Sequence, residues 1–319
     1  MTNKIYKRKD QIGLSRREFM NKTAAMATGL TLAGSSRLFG APAMIKNSKK
    51  TGSVINGVEI GVIAPYALRG VGRGLDVEQL LNLIVELGIN AVEMQSPPIE
   101  EFAGISSDNQ VDWRVSAEMD KFQELRRMYN DSGVRFYAYK QALRREMSDA
   151  EFDYSFNVAK ALGANQVTME LPGDDNDGSL TNRIGQFAAK HQIMATYHNH
   201  TQANFNFWDR AIWQSKYNGL NLDTGHYVSA NGADSLMDLL DKHWGSIGSL
   251  HLKDRKENLG DNMPWGEGDT PIVEVLQLMR DKKANFQATI ELEYNVPDDS
   301  DPLQEIAKCF EYCRRALTA

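Results

Sequence analysis

Ile193-Met194-Ala195-Thr196-Tyr197-His198-Asn199-His200 is an apolar run that ends abruptly in polar side chains able to bind a metal. The pattern returns in Leu220-Asn221-Leu222-Asp223-Thr224-Gly225-His226 and in Ile247-Gly248-Ser249-Leu250-His251-Leu252-Lys253-Asp254. A fourth run, Phe286-Gln287-Ala288-Thr289-Ile290-Glu291-Leu292-Glu293, ends in carboxylates. Short apolar runs bounded in this way read as buried strands. Strands that each deliver one ligand-type residue at the C-terminal end are what a site at the mouth of a parallel barrel requires. A lone histidine at a strand end is usually a satisfied polar residue. Here four of the six histidines fall in these runs, which points to one shared site.

Working outward, residues 58–63, 89–93, 134–139 and 166–170 read as four earlier strands. Amphipathic stretches at 76–87, 116–130, 148–163 and 180–191 alternate with them, and others follow at 235–242, 272–282 and 302–317. The first helix stops at Gly88, and Ser148 and Glu151 have the spacing of a capping box. Strands alternating with helices predict a parallel sheet, and eight such units predict closure into a (β/α)8 TIM barrel. A doubly wound open sheet is the alternative, but no G-x-G-x-x-G follows the first strand. The loop at 262–270, containing Trp265-Gly266-Glu267-Gly268, follows the seventh strand and is placed to wall the mouth.

Side chains alternate faces along a strand, so Glu291 and Glu293 share a face about 7 Å apart, as do His198 and His200. Only one of each pair can lie level with a metal, and its partner is left for substrate. Asp223, His251, one glutamate and one fifth-strand histidine make a mixed N/O set. Such ligation suits one divalent Mn, Zn, Co or Fe ion better than calcium. The metal set expected is His198, Asp223, His251 and Glu291. Lys253, His200, Trp265 and Glu93 are candidate substrate contacts, and Glu170 at the end of the fourth strand is a spare carboxylate.

Taken in order, the strand ends, the Leu222-Asp223-Thr224-Gly225-His226 stretch, His251-Leu252-Lys253-Asp254, Gly266-Glu267-Gly268 and Ile290-Glu291 resemble the xylose isomerase-like superfamily of sugar isomerases and epimerases. The resemblance runs from about residue 58 to the C-terminus. It implies a divalent metal held by Glu, Asp, His and Glu from strands five to eight. Asp223, His251 and Glu291 fill three of those roles, and His226 matches a substrate-contacting position. His198 stands where many members have the first glutamate, which often shares the proton transfer. The resemblance therefore implies a metal-dependent sugar or polyol isomerase or epimerase working by proton transfer beside a carbonyl. Glu291 or His198 would be the base, with Glu170 as a substitute carboxylate. A lyase or dehydratase on keto-sugars or cyclitols is the alternative, as is a sugar-binding barrel without catalysis.

The first 43 residues read differently. A basic stretch is followed by Ser15-Arg16-Arg17-Glu18-Phe19, a weakly apolar stretch at 24–34, and Ala41-Pro42-Ala43. These are the three parts of a signal peptide in order, and the arginine pair resembles the twin-arginine export signal. The expected organisation is a signal peptide at 1–43, a linker at 44–57 and a barrel domain at 58–319, delivered to the periplasm by the twin-arginine machinery. The apolar stretch is shorter than the ~20 residues that span a bilayer, so no stable membrane anchor is expected. Cleavage after Ala43 would leave 276 of the 319 residues, enough for one barrel. Removing a leader of +6 from a chain of −6 leaves a domain of about −12. That balance disfavours nucleic acid, including the phosphodiester chemistry of endonucleases on this barrel. The partner expected is a small sugar or polyol, a free sugar rather than a sugar phosphate because of export. The sequence leaves the oligomeric state open. Replacing Arg16 and Arg17 together by Lys should hold the protein in the cytoplasm. Fractionation that still finds normal amounts in the periplasm would refute the twin-arginine reading.

Overall fold

The computed structural model describes residues 52–71, 74–171 and 175–319. The leader, and the linker up to residue 51, lie outside the described residues. From Gly52 onward the segment expected to be linker instead joins the barrel. Val54–Ile55 (β1) turns back antiparallel on the first barrel strand, and Ser53 is buried against Asn90.

Eight parallel strands follow: β2 (Val58–Ala64), β3 (Ala91–Gln95), β4 (Arg135–Lys140), β5 (Gln166–Glu170), β6 (Met194–His198), β7 (Asn218–Asp223), β8 (Ile247–Leu252) and β9 (Gln287–Ile290). Each pairs with the next, and β9 pairs with β2, which closes the barrel. Helices form the outer ring. Their starts are fixed by local chemistry: Asp76 and Gln79 form one capping box, Ser148 and Glu151 another. Leu80, Ile84, Phe152 and Phe156 turn their buried faces to the strands. Burying each such side chain stabilises the fold by about 1.5–3 kcal/mol. Cys309 and Cys313 are buried and unpaired by disulfide in the last helix, Pro302–Thr318.

Three stretches differ from the expected pattern. The helix expected at 116–130 begins at Asp120, and two short helices, Ser96–Ala103 and Gln110–Ser116, precede it. Pro97 and Pro98 open the first of these, a place where missing N–H groups cost nothing. Glu100, nearly buried, grips Arg114 through two hydrogen bonds of 2.7 and 2.8 Å and ties the pair together. Between β6 and β7 lies a further helix, Asp209–Gln214. The sixth strand stops at Asp223 rather than running on to His226. Asp223 accepts a hydrogen bond from the His226 N–H and caps the helix Thr224–Asn231.

The barrel interior is polar and tightly fitted. Gln166 donates to Ser249 at 2.8 Å and accepts from Thr196 at 3.1 Å. The β7–β8 ladder slips by one residue here: Leu220 faces Ile247, but Asn221 faces Ser249 and Asp223 faces His251. The residue passed over is Gly248. A Cβ at Gly248 would lie 2.1 Å from Gln166 Oε1 and 2.5 Å from Thr196 Cγ2. Glycine thus permits the bulge, and the bulge brings His251 rather than Leu250 level with Asp223. Gly248→Ala should cost about 1–3 kcal/mol, the usual range for overpacking. An unfolding midpoint equal to that of the native protein in a urea titration would contradict this account.

Candidate metal and substrate site at the barrel mouth

The register delivers His198, Asp223, His251 and Glu291 to one point. Each offers a ligand-type atom, these atoms lie within 4.8 Å of one another, and all four residues are buried. Of the two residues in each alternating pair, His198 and Glu291 join this group. His200 and Glu293 stand farther out.

Local bonding fixes the state of each member. The Asn221 amide donates to Ser249 at 2.6 Å and to the Glu93 carboxylate at 3.2 Å. Its oxygen is therefore the atom facing His198 Nδ1, at 2.8 Å, so Nδ1 carries the proton. The His198 Nε2 lone pair then points at Asp223 Oδ2, 4.0 Å away. Burial, reinforced by the charges of Lys140 and His251, pushes the His198 pKa well below that of a free imidazole. His198 is thus neutral.

His251 is the opposite case. Its Nδ1 meets Glu291 at 2.6 Å and its Nε2 meets Glu93 at 2.8 Å. Burial opposes its charge, but the Glu93 and Glu291 carboxylates outweigh burial and hold its pKa at about 10. Lys253, buried, lies 2.9 Å from Asp223, 3.5 Å from Glu291 and 2.6 Å from Glu293. Burial opposes the charges of Asp223 and Glu291 too, but Lys253 keeps both carboxylates ionised, joined at Glu291 by His251. Asp223 Oδ2 is buried without a hydrogen bond, since Lys253 approaches it outside hydrogen-bond geometry.

The remaining expected residues spread around this centre. His226 lies 3.6 Å from Glu293, with its ring 4.8 Å from that of His200. Glu170 sits on the exposed rim, 3.1 Å from Lys140 and 3.9 Å from His200. Glu93 departs from its expected role as a substrate contact. Its strand starts at Ala91, two residues later than expected, so Glu93 lies mid-strand beneath the mouth. It is fully buried, where it accepts from Thr168 at 2.8 Å and orients His251. Trp265 packs edge-on against Tyr312 of the last helix, at 6.0 Å between centroids, and so anchors its loop. Asp254 holds the same loop by accepting from the backbone of Gly266, Gly268 and Thr270.

Four contributors were missed in the sequence. Lys140 ends β4 and was legible by the strand-end criterion applied elsewhere. Asn221 precedes Asp223 by two, so alternation places it on the same face. Tyr66 donates to Glu293, and Arg255 donates to His226 Nδ1 at 2.7 Å. No local sequence signal marks either of these.

A closed eight-stranded parallel barrel with polar side chains converging above its strand ends has the architecture of TIM-barrel enzymes. The model of the xylose isomerase-like TIM barrel family matches residues 81–315, and the chain belongs to that family. Among solved structures it is similar to a sugar phosphate isomerase/epimerase from Parabacteroides distasonis. That match has 17% identity and a TM-score of 0.60, over 80% of this chain and 95% of the other. It is also similar to D-psicose 3-epimerase from Clostridium cellulolyticum, solved with D-tagatose, at 13% identity and a TM-score of 0.59, over 82% and 99% of the two chains. The probable 3-DHS dehydratase of petrobactin synthesis from Bacillus anthracis matches at 12% identity and a TM-score of 0.59, over 82% and 99%. No curated protein matches the sequence. Among the described residues, no helix is long and apolar enough to cross a membrane.

The charged His251 has a consequence for stability. Its folded pKa lies above the unfolded value of about 6.5. The stability it contributes is complete below about pH 6.5 and is lost as pH rises through about 10. In metal-free protein, Glu93→Gln should flatten this loss. Urea unfolding of both proteins across that window checks it, and parallel profiles would count against a protonated His251.

Proposed function

We propose that this chain is a metal-dependent enzyme that moves a proton on the carbon beside a carbonyl in a free sugar, keto-sugar or cyclitol, as an isomerase or epimerase. The observation that carries this reading is Asp223 Oδ2, buried without a hydrogen bond inside a quartet of nitrogen and oxygen donors. That donor set fits Mn²⁺, Zn²⁺, Co²⁺ or Fe²⁺. His198 through Nε2, Asp223 through Oδ2, His251 through Nδ1 and Glu291 would hold the ion. Glu93, behind His251, would orient that imidazole as carboxylates do behind metal-bound histidines. A bound divalent ion supplies polarisation of the substrate's carbonyl and hydroxyl oxygens.

The other tasks belong to side chains. Glu291 is held as a carboxylate and serves as the base that takes the carbon-bound proton. The Nε2 lone pair of neutral His198 serves either as a ligand or, in place of that role, as the second candidate base. The buried Lys253 ammonium supports negative charge developing on a substrate oxygen.

A second reading, elimination by a lyase or dehydratase, has its own support. The fifth strand supplies His198 where a second carboxylate would serve epimerisation. Glu170 and His200, 3.9 Å apart on the exposed rim, are placed to protonate a departing oxygen. In both readings the enzyme works in the periplasm after twin-arginine export.

After preparation in metal-replete medium, His251→Ala should lose most bound metal by elemental analysis, while Glu293→Ala retains it. Incubation in deuterated water with free sugars, keto-sugars and inositols should give deuterium at carbon, abolished by Glu291→Gln. An unsaturated product would select the lyase. Tight sugar binding with neither exchange nor elimination would leave a non-catalytic binding barrel.

A further inference from the structure

We propose that the cavity beside Glu170 is a second subsite, and that the substrate is a glycoside. Its sugar lies over the His198, Asp223, His251 and Glu291 quartet, and the group attached to that sugar fills the cavity. The inference rests on the sugar reading above and extends it to a larger substrate.

The cavity holds about 400 Å³ and opens between the segment after β4 and the end of β5. Ligand pockets start at about 300 Å³, typically with apolar linings and a few polar groups. Here Leu143, Met169 and Leu180 are the buried apolar part, and Arg144, Glu146 and Glu170 are the charged part. Glu170 belongs to both the cavity and the mouth. Its carboxylate lies 3.9 Å from His200 and within 4.8 Å of a ring nitrogen of His198. A sugar seated over the quartet is therefore separated from the cavity by one side chain.

The wall of the cavity is preformed. The Gln141 N–H donates to the Thr168 carbonyl at 3.0 Å, and the Arg144 N–H to Met147 Sδ at 3.2 Å. Arg183 donates to the Met147 carbonyl at 2.9 Å. A wall fixed in advance spares the ordering cost of binding. The Arg145 guanidinium is already committed to Asp175 and Asp177, at 3.1 and 3.3 Å. With Glu146 and Glu170 also present, the cavity is unsuited to a phosphate. A neutral ring with an apolar face matches Leu143, Met169 and Leu180, and a glycosidic bond is the link that joins such a ring to a sugar.

The test uses the full chain prepared in metal-replete medium, and calorimetry with the methyl and phenyl glycosides of glucose, galactose and xylose in both anomers. Each pair shares its sugar and its blocked oxygen, and only the phenyl group is large enough to fill the cavity. For at least one sugar the phenyl glycoside should bind about tenfold more tightly than the methyl glycoside. Location is read with Ala142→Cys, at an exposed residue that lines the cavity, since Cys309 and Cys313 are buried. The phenyl glycoside, but not the methyl glycoside, should slow maleimide labelling of this thiol by about fivefold. In the labelled protein the phenyl margin should vanish while methyl glycoside affinity stays within about twofold. Equal affinities in every pair, no glycoside binding, tighter binding of glucose 6-phosphate, or a phenyl margin that survives labelling overturns the subsite. These measurements read binding and not turnover. Failed deuterium exchange beside a confirmed phenyl margin would therefore strike the proton-transfer reading alone.

Discussion

Everything at the barrel mouth depends on mutual compensation among buried charges. Glu93, Asp223 and Glu291 are carboxylates with almost no access to water, and an isolated ion in such a place is prohibitively costly. They persist as carboxylates because His251 is clamped between two of them and Lys253 reaches the third and returns to Glu291. The fold supplies this arrangement through register. The bulge at Gly248 sets His251 level with Asp223, and the late start of β3 sinks Glu93 beneath them. Under the metal-binding proposal, a divalent cation would have to displace the proton that His251 holds between two carboxylates, so its affinity would be tied to pH.

Four histidines share this region, and their surroundings give them different chemistry. His198 is neutral because an amide oxygen claims one nitrogen and neighbouring cations disfavour a charge. His251 is charged because carboxylates hold both nitrogens. His226 is neutral with a donor turned to the mouth, and burial lowers its pKa. His200 stands on the exposed rim beside Glu170. Residue type alone would have assigned all four the same role.

The fold was legible in the chain because periodicity is a local property. Eight apolar runs of four to seven residues, alternating with amphipathic helices, predict a closed barrel, and all eight barrel strands lie within a few residues of their expected places. The metal-type quartet was legible for the same reason, since each member ends a run. The choice between Glu291 and Glu293, or His198 and His200, depends on depth in the barrel. A two-residue alternation leaves depth undetermined. The depth of Glu93 and the anchoring of Trp265 follow from a strand start and a contact with the distant Tyr312, which no local pattern marks. Tyr66 and Arg255 were missed because their partners, Glu293 and His226, are far away in sequence.

The run from His251 to Arg255 addresses a different part of the mouth at every polar position. His251 meets Glu93 and Glu291, Lys253 meets Asp223 and Glu293, Asp254 carries the Gly266–Thr270 backbone, and Arg255 holds His226. Between them Leu252 is locked into the ladder opposite Ile290. Five consecutive residues thus tie the end of β8 to the charge cluster, to the loop and to His226 at once. A displacement of the loop that Asp254 grips would be transmitted to all of these contacts together.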